Sequence, residues 1–149
     1  MEKKVHILLV DDNQMDVVLT LDAFRVAKLQ NKINIAQNGE EALEYLFGRG
    51  MFSDREEYPL PALILLDLKM PGMDGFEVLR QIKMTQVLKR IPVVILTSSK
   101  DDGDRAMSYD IGANSYLLKP VSFEGFVEVV KKIQDYWFTL NVIAPGINE

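Results

Sequence analysis

The stretch VHILLVDDNQMD, residues 5–16, places two adjacent aspartates, Asp11 and Asp12, directly after a mostly apolar run. An apolar run of this length that ends in polar residues predicts a buried β-strand. Two neighbouring carboxylates at the end of such a strand repel each other, and burial disfavours the charged form of both. The stretch therefore predicts a strand whose end adjoins a site for positive charge.

The rest of the chain repeats this alternation of short apolar runs and amphipathic segments. The predicted strands cover residues 5–10, 33–36, 62–67, 92–97 and 115–118. Asn13, Asp74 and Ser122 each precede a segment with helical spacing and can cap a helix, and Gly112 can end one. Strands that are apolar throughout and alternate with helices predict an α/β fold, with a parallel sheet and helices on both faces.

The chain is expected to form a single domain. Its 149 residues suffice for one full core, and no repeat, low-complexity tract or linker opens a second domain. Within the domain 1–149 we expect a core of about residues 5–138, an insertion at 48–61 and a C-terminal tail at 139–149. The insertion is predicted to be a surface loop and the tail a frayed end, with contact to a partner as the alternative for each.

The composition excludes several classes of function. A net charge of -5 argues against a nucleic-acid-binding surface, which needs clustered lysine and arginine. The absence of cysteine excludes disulfides, thiolate nucleophiles and Cys-ligated zinc, and it is compatible with a reducing cytoplasm, the expected location. The single histidine, His6, lies at the start of the first strand and is expected to be structural. No segment approaches a membrane span.

Chemically active side chains stand at the ends of four predicted strands. Asp11 and Asp12 follow the first strand, Asp67 ends the third, Thr97 ends the fourth and Lys119 follows the fifth. Ligands of open parallel α/β sheets bind outside the carboxyl ends of the strands. Three carboxylates favour a hard divalent cation such as Mg²⁺, and a lysine and a hydroxyl suit the oxygens of a phosphoryl group. The residues therefore predict a phosphoryl site in which an aspartate can carry the group as an acyl phosphate.

Four motifs at these strand ends resemble the receiver domains of two-component response regulators. They are VDDN (10–13), LLDLKMPGMDG (65–75), VILTS (94–98) and YLLKP (116–120), which stand in the family's order and spacing. The resemblance covers almost the whole chain. It implies a flavodoxin-like fold, with a five-stranded parallel sheet in the order 2-1-3-4-5.

The resemblance also implies how the acidic residues act. Asp67 matches the family's phosphoryl acceptor. Asp11 and Asp12 match the acidic pair that holds Mg²⁺, with Asp12 as the direct ligand of the two. Asp67 itself and the backbone carbonyl of Lys69 would complete the set of protein ligands for the metal.

Three further residues would respond to the phosphoryl group. Thr97 would hydrogen-bond the phosphoryl oxygens and move toward them, and Lys119 would form an ion pair with them. Tyr116 would change its burial during activation. The resemblance also implies a cis peptide bond between Lys119 and Pro120.

The expected partner is a histidine kinase that donates the phosphoryl group. The insertion at 48–61 and the DL-x-x-P form after Asp67 are similar to small stand-alone regulators paired with phytochrome-type histidine kinases. Such relatives suggest a homodimer through the last strand, last helix or tail. No DNA-binding output domain is expected after Trp137, and no enzymatic activity beyond self-phosphorylation and autodephosphorylation.

Two other functions remain as alternatives at this point. An unphosphorylated pseudo-receiver would act only as an interaction module, but it would be expected to lack one of the acids or the lysine. A haloacid-dehalogenase-like phosphatase also uses an aspartate and Mg²⁺ at a strand end. Its nucleophile is usually followed two residues later by a second aspartate, and that place is held here by Lys69.

Overall fold

Five parallel strands form one sheet in the order β2-β1-β3-β4-β5, so the strand order that the resemblance implies is confirmed. The structure is a computed structural model, and it describes residues 5–140 and Pro145. The strands are β1 His6–Val10, β2 Lys32–Ala36, β3 Leu63–Leu66, β4 Val93–Thr97 and β5 Ser115–Leu118. Each lies within about a residue of its predicted position, because the apolar runs that predict them are bounded by turn residues on both sides.

The helices begin where side chains can satisfy their free backbone N–H groups. They are α1 Gln14–Val26, α2 Gly39–Phe47, α3 Gly75–Met84, α4 Asp102–Ile111 and α5 Phe123–Ile133. The predicted caps Asn13, Asp74 and Ser122 each accept a hydrogen bond from a backbone N–H in the first turn. Gly112 follows α4 with a φ of 128°, a value that favours glycine, and ends the helix as predicted.

The apolar residues of the strands alternate between two cores, one on each face of the sheet. Leu8, Ile64 and Ile95 pack with residues of α2 and α3, whereas Ile7 and Leu65 pack with residues of α1 and α5. The central strand β3 is fully buried on both faces. Covered faces of this kind are typical of parallel sheets, and they leave the strand ends as the place for a polar site.

The insertion at 48–61 is anchored to α2 rather than lying loosely on the surface. The Arg55 guanidinium donates hydrogen bonds to the backbone oxygens of Tyr45, Leu46 and Tyr58, at 2.7, 2.7 and 3.0 Å. Phe52 is buried, and its ring lies 5.1 Å from that of Tyr45. A cation at the last carbonyls of a helix also interacts favourably with the helix dipole, so Arg55 both caps α2 and holds the insertion.

A π-helical segment, Gln134–Leu140, continues α5, and it carries Trp137 against the core shared by α1 and α5. The predicted tail lies mostly outside the described residues. Within the part of the chain that is described, no helix combines the length and the apolarity needed to cross a lipid bilayer.

Candidate functional site

The register of the sheet brings the predicted site residues to one edge. Val10 of β1 pairs with Leu66 of β3, so the aspartates that follow these residues are neighbours. The Asp67 N–H donates to the Val10 carbonyl at 3.0 Å, and the Lys119 N–H donates to the Thr97 carbonyl at 2.8 Å. These backbone bonds extend the strand pairing by one residue and aim the side chains of the acid and the lysine outward from the same edge.

The three aspartates predicted to hold a metal lie together. Each of Asp11, Asp12 and Asp67 offers a carboxylate oxygen, and these oxygens all lie within 4.8 Å of one another. Asp11 and Asp67 are buried and Asp12 is half-buried. Among the described residues, Asp12 is the member of this trio whose carboxylate makes no hydrogen bond or ion pair with the protein. A cluster of oxygen ligands at this separation suits one hard divalent cation.

Lys119 lies at the centre of the acidic residues. Its Nζ lies 2.9 Å from Asp11 Oδ2, 2.9 Å from Asp67 Oδ2 and 2.8 Å from Asp16 Oδ2, and its side chain is only 6% exposed. Burial lowers the pKa of Lys119, but the hydrogen bonds to the three carboxylates outweigh this effect and raise the pKa above its ordinary value. The lysine is therefore held charged, and it offsets the repulsion among the acids.

The two buried aspartates are oriented by backbone donors as well as by the lysine. Asp11 Oδ1 accepts from the Asn13 N–H at 2.9 Å, and Asp67 Oδ1 accepts from the Leu68 N–H at 2.8 Å. Burial raises the pKa of Asp11, and the hydrogen bonds from Asn13 and Lys119 only partly counter it. Both carboxylates are thus positioned before any ligand binds.

Asp16 was not among the predicted site residues, although it makes one of the three ion pairs of Lys119. It lies in the first turn of α1, where its N–H is bound by the cap Asn13. The sequence carries one signal for it, a carboxylate one helical turn after Asp12. An acidic residue in the first turn of a helix is common for electrostatic reasons alone, so that signal did not distinguish it.

Thr97 lines the same cavity as Asp67, whereas Tyr116 lies outside it, and both side chains bond to the loop after β4. Thr97 is buried, and its Oγ1 accepts from the Ser99 N–H at 3.3 Å. The Tyr116 hydroxyl donates to the Ser99 carbonyl at 2.9 Å. Both predicted switch residues therefore contact the loop between β4 and α4, and Ser99 connects them.

An open cavity of about 560 Å³ lies at this edge of the sheet. Its lining includes Asp12, Asp67, Thr97, Lys119 and the exposed Lys69. The Lys69 ammonium points to α4, where Nζ lies 3.1 Å from Asp104 Oδ2. All predicted site residues except Asp11 and Tyr116 line this cavity, and Asp11 lies directly behind it, in contact with Lys119.

One expectation about the lysine is wrong. Within the described residues no peptide bond is cis, so the Lys119–Pro120 bond is trans. The side chain of Lys119 nevertheless reaches the acids, because its backbone is bound to Thr97 and its ammonium to three carboxylates.

Gly75, the first residue of α3, packs against the backbone of the loop that carries Asp67. A Cβ on Gly75 would overlap the Asp67 carbonyl oxygen and would lie 2.7 Å from Leu68 Cα. Gly75 N–H also donates to the Leu68 carbonyl at 2.9 Å. The contact between helix and loop therefore requires a residue without a side chain.

We expect Gly75→Ala to lower the free energy of unfolding by about 2–3 kcal/mol, because backbone atoms cannot move aside as a side chain can. Urea denaturation measures the loss. The matched control is Gly103→Ala, since a Cβ on Gly103 would meet only the side-chain oxygen of Asp101. Equal stabilities of the two variants would show that the close approach at Gly75 is not maintained in solution.

The sequence of this chain is similar to those of known regulators. The family model for the response regulator receiver domain matches residues 7–131. The chain is 41% identical over 140 residues to the probable methanogenesis regulatory protein FilR2 of Methanothrix harundinacea, covering 94% of this chain and 87% of that protein. It is 37% identical over 131 residues to the response regulator Rcp1 of Synechocystis sp., covering 88% and 87%.

Solved structures agree with the sequence comparison. The phosphorylated cyanobacterial phytochrome response regulator RcpA superposes with a TM-score of 0.87 at 35% identity, covering 95% of this chain and 99% of that chain. The Mn²⁺-bound form of Rcp1 superposes with a TM-score of 0.83 at 35% identity, covering 94% and 99%. The fold of this chain is thus shared with both solved regulators over almost all of each chain.

Proposed function

The chain belongs to the response regulator receiver domain family, and from this we propose that Asp67 accepts a phosphoryl group from a histidine kinase. Receiver domains act as phosphoryl-accepting switches in two-component signalling and are generally not enzymes. The observation that carries the assignment to Asp67 is its position: it lies in the open cavity, 2.9 Å from a buried lysine and within reach of two further aspartates. We propose that the chain has no enzymatic activity other than self-phosphorylation from phosphoryl donors and autodephosphorylation.

The transfer needs one bond to form and one to break. A carboxylate oxygen of Asp67 bonds to phosphorus as the bond from phosphorus to the donor nitrogen of the kinase histidine breaks, and an acyl phosphate results. Leu68 N–H and Lys119 Nζ already hold the carboxylate in one orientation. Because phosphoryl transfer depends mainly on positioning and charge stabilisation, this orientation is the main contribution of the protein.

Asp11, Asp12, Asp67 and the backbone carbonyl of Lys69 would hold the metal, and we propose Mg²⁺. An all-oxygen set of donors fits this ion, and the Mn²⁺-bound form of Rcp1 supports a divalent cation at this type of site. When bound, Mg²⁺ neutralises charge that develops on the transferred oxygens. Asp12 is the ligand whose side chain can most easily change its position when the metal binds, since its carboxylate has no protein partner among the described residues.

The phosphoryl group on Asp67 would carry about 1.5 to 2 negative charges at neutral pH, in place of the single charge of the free carboxylate. Lys119 can meet this charge at once, since it already contacts Asp67. We propose that Thr97 turns its hydroxyl toward the new oxygens and that the loop after β4 follows. Tyr116 would then change its burial, because its hydroxyl is bound to that loop.

The proposed donor is a phytochrome-type histidine kinase. The support is the similarity to RcpA, a cyanobacterial phytochrome response regulator, over nearly the whole length of both chains. We propose that the chain acts as a single receiver domain through protein contacts rather than DNA binding, and that it dimerises through the last strand, last helix or tail. The proposed location is the cytoplasm, with which the absence of cysteine is compatible.

Incubation with acetyl phosphate and Mg²⁺, followed by intact-mass measurement, tests this function. We expect a gain of one phosphoryl group, which EDTA prevents and which peptide fragmentation assigns to Asp67. No gain under any metal condition would instead identify a pseudo-receiver that acts by contact alone. A group located on another residue would show that the acceptor assignment is wrong.

A further inference from the structure

Ser99 joins the two predicted switch residues to helix α4. Its N–H donates to Thr97 Oγ1 at 3.3 Å, its carbonyl accepts from the Tyr116 hydroxyl at 2.9 Å, and its own hydroxyl donates to Asp104 Oδ2 at 2.7 Å. All three polar groups of this residue are therefore engaged. The position of the loop between β4 and α4 depends on where Ser99 is held.

One oxygen of Asp104 holds Ser99 and also holds a residue from the acceptor loop. Asp104 Oδ2 accepts from Ser99 Oγ at 2.7 Å and lies 3.1 Å from Lys69 Nζ. Lys69 follows the acceptor Asp67 by two residues. Asp104 itself is fixed in the first turn of α4, because its N–H donates to the cap Asp101 at 3.0 Å. The carboxylate of Asp104 thus links the loop that carries the acceptor to the loop that carries Thr97.

We propose that Asp104 is a positioning residue that holds the Thr97 loop in its unmodified arrangement. The proposal rests on the proposed function, since it concerns how the switch at Asp67 is restrained. We call the contacts among Lys69, Ser99 and Asp104 the Asp104 link. For Thr97 to approach a phosphoryl group on Asp67, the loop must shift, and the hydrogen bond from Ser99 to Asp104 opposes that shift.

The same link restrains the lysine that borders the site. The Lys69 side chain is 64% exposed, and Asp104 is the only ion-pair partner it has among the described residues. A phosphoryl group on Asp67 offers the ammonium a stronger negative charge nearby. Phosphorylation therefore competes for Lys69 while it pulls on Thr97, and both effects weaken the Asp104 link together. The link favours the unmodified state, and its release accompanies the switch.

This arrangement predicts how affinity changes when the link is removed. If part of the population is held in an arrangement that cannot accept a phosphoryl-like ligand, the apparent affinity is reduced by that fraction. Removing the restraint raises the competent fraction. For beryllofluoride with Mg²⁺, a mimic of the phosphoryl group, we expect Asp104→Ala to bind about five- to tenfold more tightly than the unaltered protein, a typical size for coupling between sites.

A matched control lies in the same turn of the same helix. Asp102 forms an ion pair with Arg105 at 2.8 Å, and within the described residues it makes no hydrogen bond or ion pair with Ser99 or Lys69. Asp102→Ala removes the same charge from the start of α4 and also breaks one ion pair. It should leave the affinity for beryllofluoride unchanged, while urea denaturation should show similar stabilities for the two variants.

A second variant tests the link from its other end. Ser99→Ala removes the hydroxyl that donates to Asp104, so it should also tighten beryllofluoride binding. The double variant should bind no more tightly than Asp104→Ala alone, because both changes remove the same hydrogen bond between Ser99 and Asp104. Calorimetric titration measures the affinities of the unaltered protein and of all four variants, including the Asp102→Ala control.

Equal affinities of Asp104→Ala and the unaltered protein would overturn the inference. An equal shift in Asp102→Ala would overturn it too, because it would indicate a general charge effect. Weaker binding by Asp104→Ala would also overturn it. If the unaltered protein neither binds beryllofluoride nor takes up a phosphoryl group from acetyl phosphate, the proposed function itself fails, and this result is distinct from the others.

Discussion

Replacing Asp67 by asparagine is expected to abolish phosphoryl uptake while the protein remains folded. Asparagine keeps the size of the side chain and an oxygen that can accept from the Leu68 N–H. It removes the nucleophilic carboxylate, so no acyl phosphate can form at position 67. Intact-mass measurement after incubation with acetyl phosphate and Mg²⁺ should show a loss of uptake of at least about 100-fold, the scale on which catalytic groups act.

The same variant should have nearly unchanged stability, within about 1 kcal/mol. Lys119 keeps its contacts to Asp11 at 2.9 Å and to Asp16 at 2.8 Å, so it is not left without a counter-charge. The loss of one ion pair is partly offset because one negative charge leaves a crowded site. Asp102→Asn, an exposed aspartate on α4, is the matched control and should take up a phosphoryl group normally. Uptake that persists in Asp67→Asn would place the acceptor elsewhere.

Replacing Lys119 by methionine is expected to lower the free energy of unfolding more than any other substitution proposed for this protein. Methionine keeps a long unbranched chain but removes the charge that lies within 2.9 Å of three carboxylates. Removal of one partner from a buried ion pair typically costs about 3–5 kcal/mol, because the remaining charges are left buried without compensation. Urea denaturation at neutral pH without divalent cations measures this loss. Phosphoryl uptake should fall as well, since no ammonium group then offsets the negative charge of the phosphoryl oxygens.

The loss should depend on pH and on metal in defined directions. Burial already raises the pKa of Asp11 in the presence of Lys119. Without the lysine the folded-state pKa of this carboxyl rises further above its unfolded value, so folding is favoured at low pH and stability is lost as pH rises through the folded pKa. The variant should therefore regain stability on acidification from neutral pH. Mg²⁺ should raise the free energy of unfolding of the variant by more than it raises that of the unaltered protein, because the cation replaces the missing charge.

Lys100→Met provides the control for Lys119→Met. Lys100 is exposed on the loop before α4, so its replacement should change the free energy of unfolding by no more than about 0.5 kcal/mol at any pH. If Lys119→Met were as stable as this control in EDTA, the ion pairs at the strand ends would not be formed in solution. The metal dependence provides a second readout that a simple packing defect would not change.

The strands and caps could be predicted because their signals are local. A run such as residues 62–67 is apolar regardless of what surrounds it, and Asn13, Asp74 and Ser122 bond to N–H groups three residues later. The strand order came from the resemblance to a family, since apolar runs do not specify which strands are neighbours. The grouping of Asp11, Asp12 and Asp67 followed from the rule that ligands bind at strand ends.

The contacts that were not predicted join distant parts of the chain. Asp16 binds a lysine that lies 103 positions away, and Asp104 reaches both Lys69 and Ser99. Arg55 lies in a polar segment that was expected to be a surface loop, yet it caps α2 through carbonyls nine and ten residues earlier. Each of these side chains is an ordinary charged residue in the sequence, and only its neighbours in space give it a role.

The sequence by itself determined that this chain forms an α/β receiver fold and that acids at 11, 12 and 67 stand at strand ends with a lysine at 119. Apolar runs, helix caps and strand-end residues act over a few positions, and the family motifs add their order. Only the tertiary structure decided which charges meet: Lys119 with three carboxylates, and Asp104 with two loops. Ion pairs and hydrogen bonds depend on separations of a few ångströms, and those separations exist only once the sheet has placed remote segments side by side.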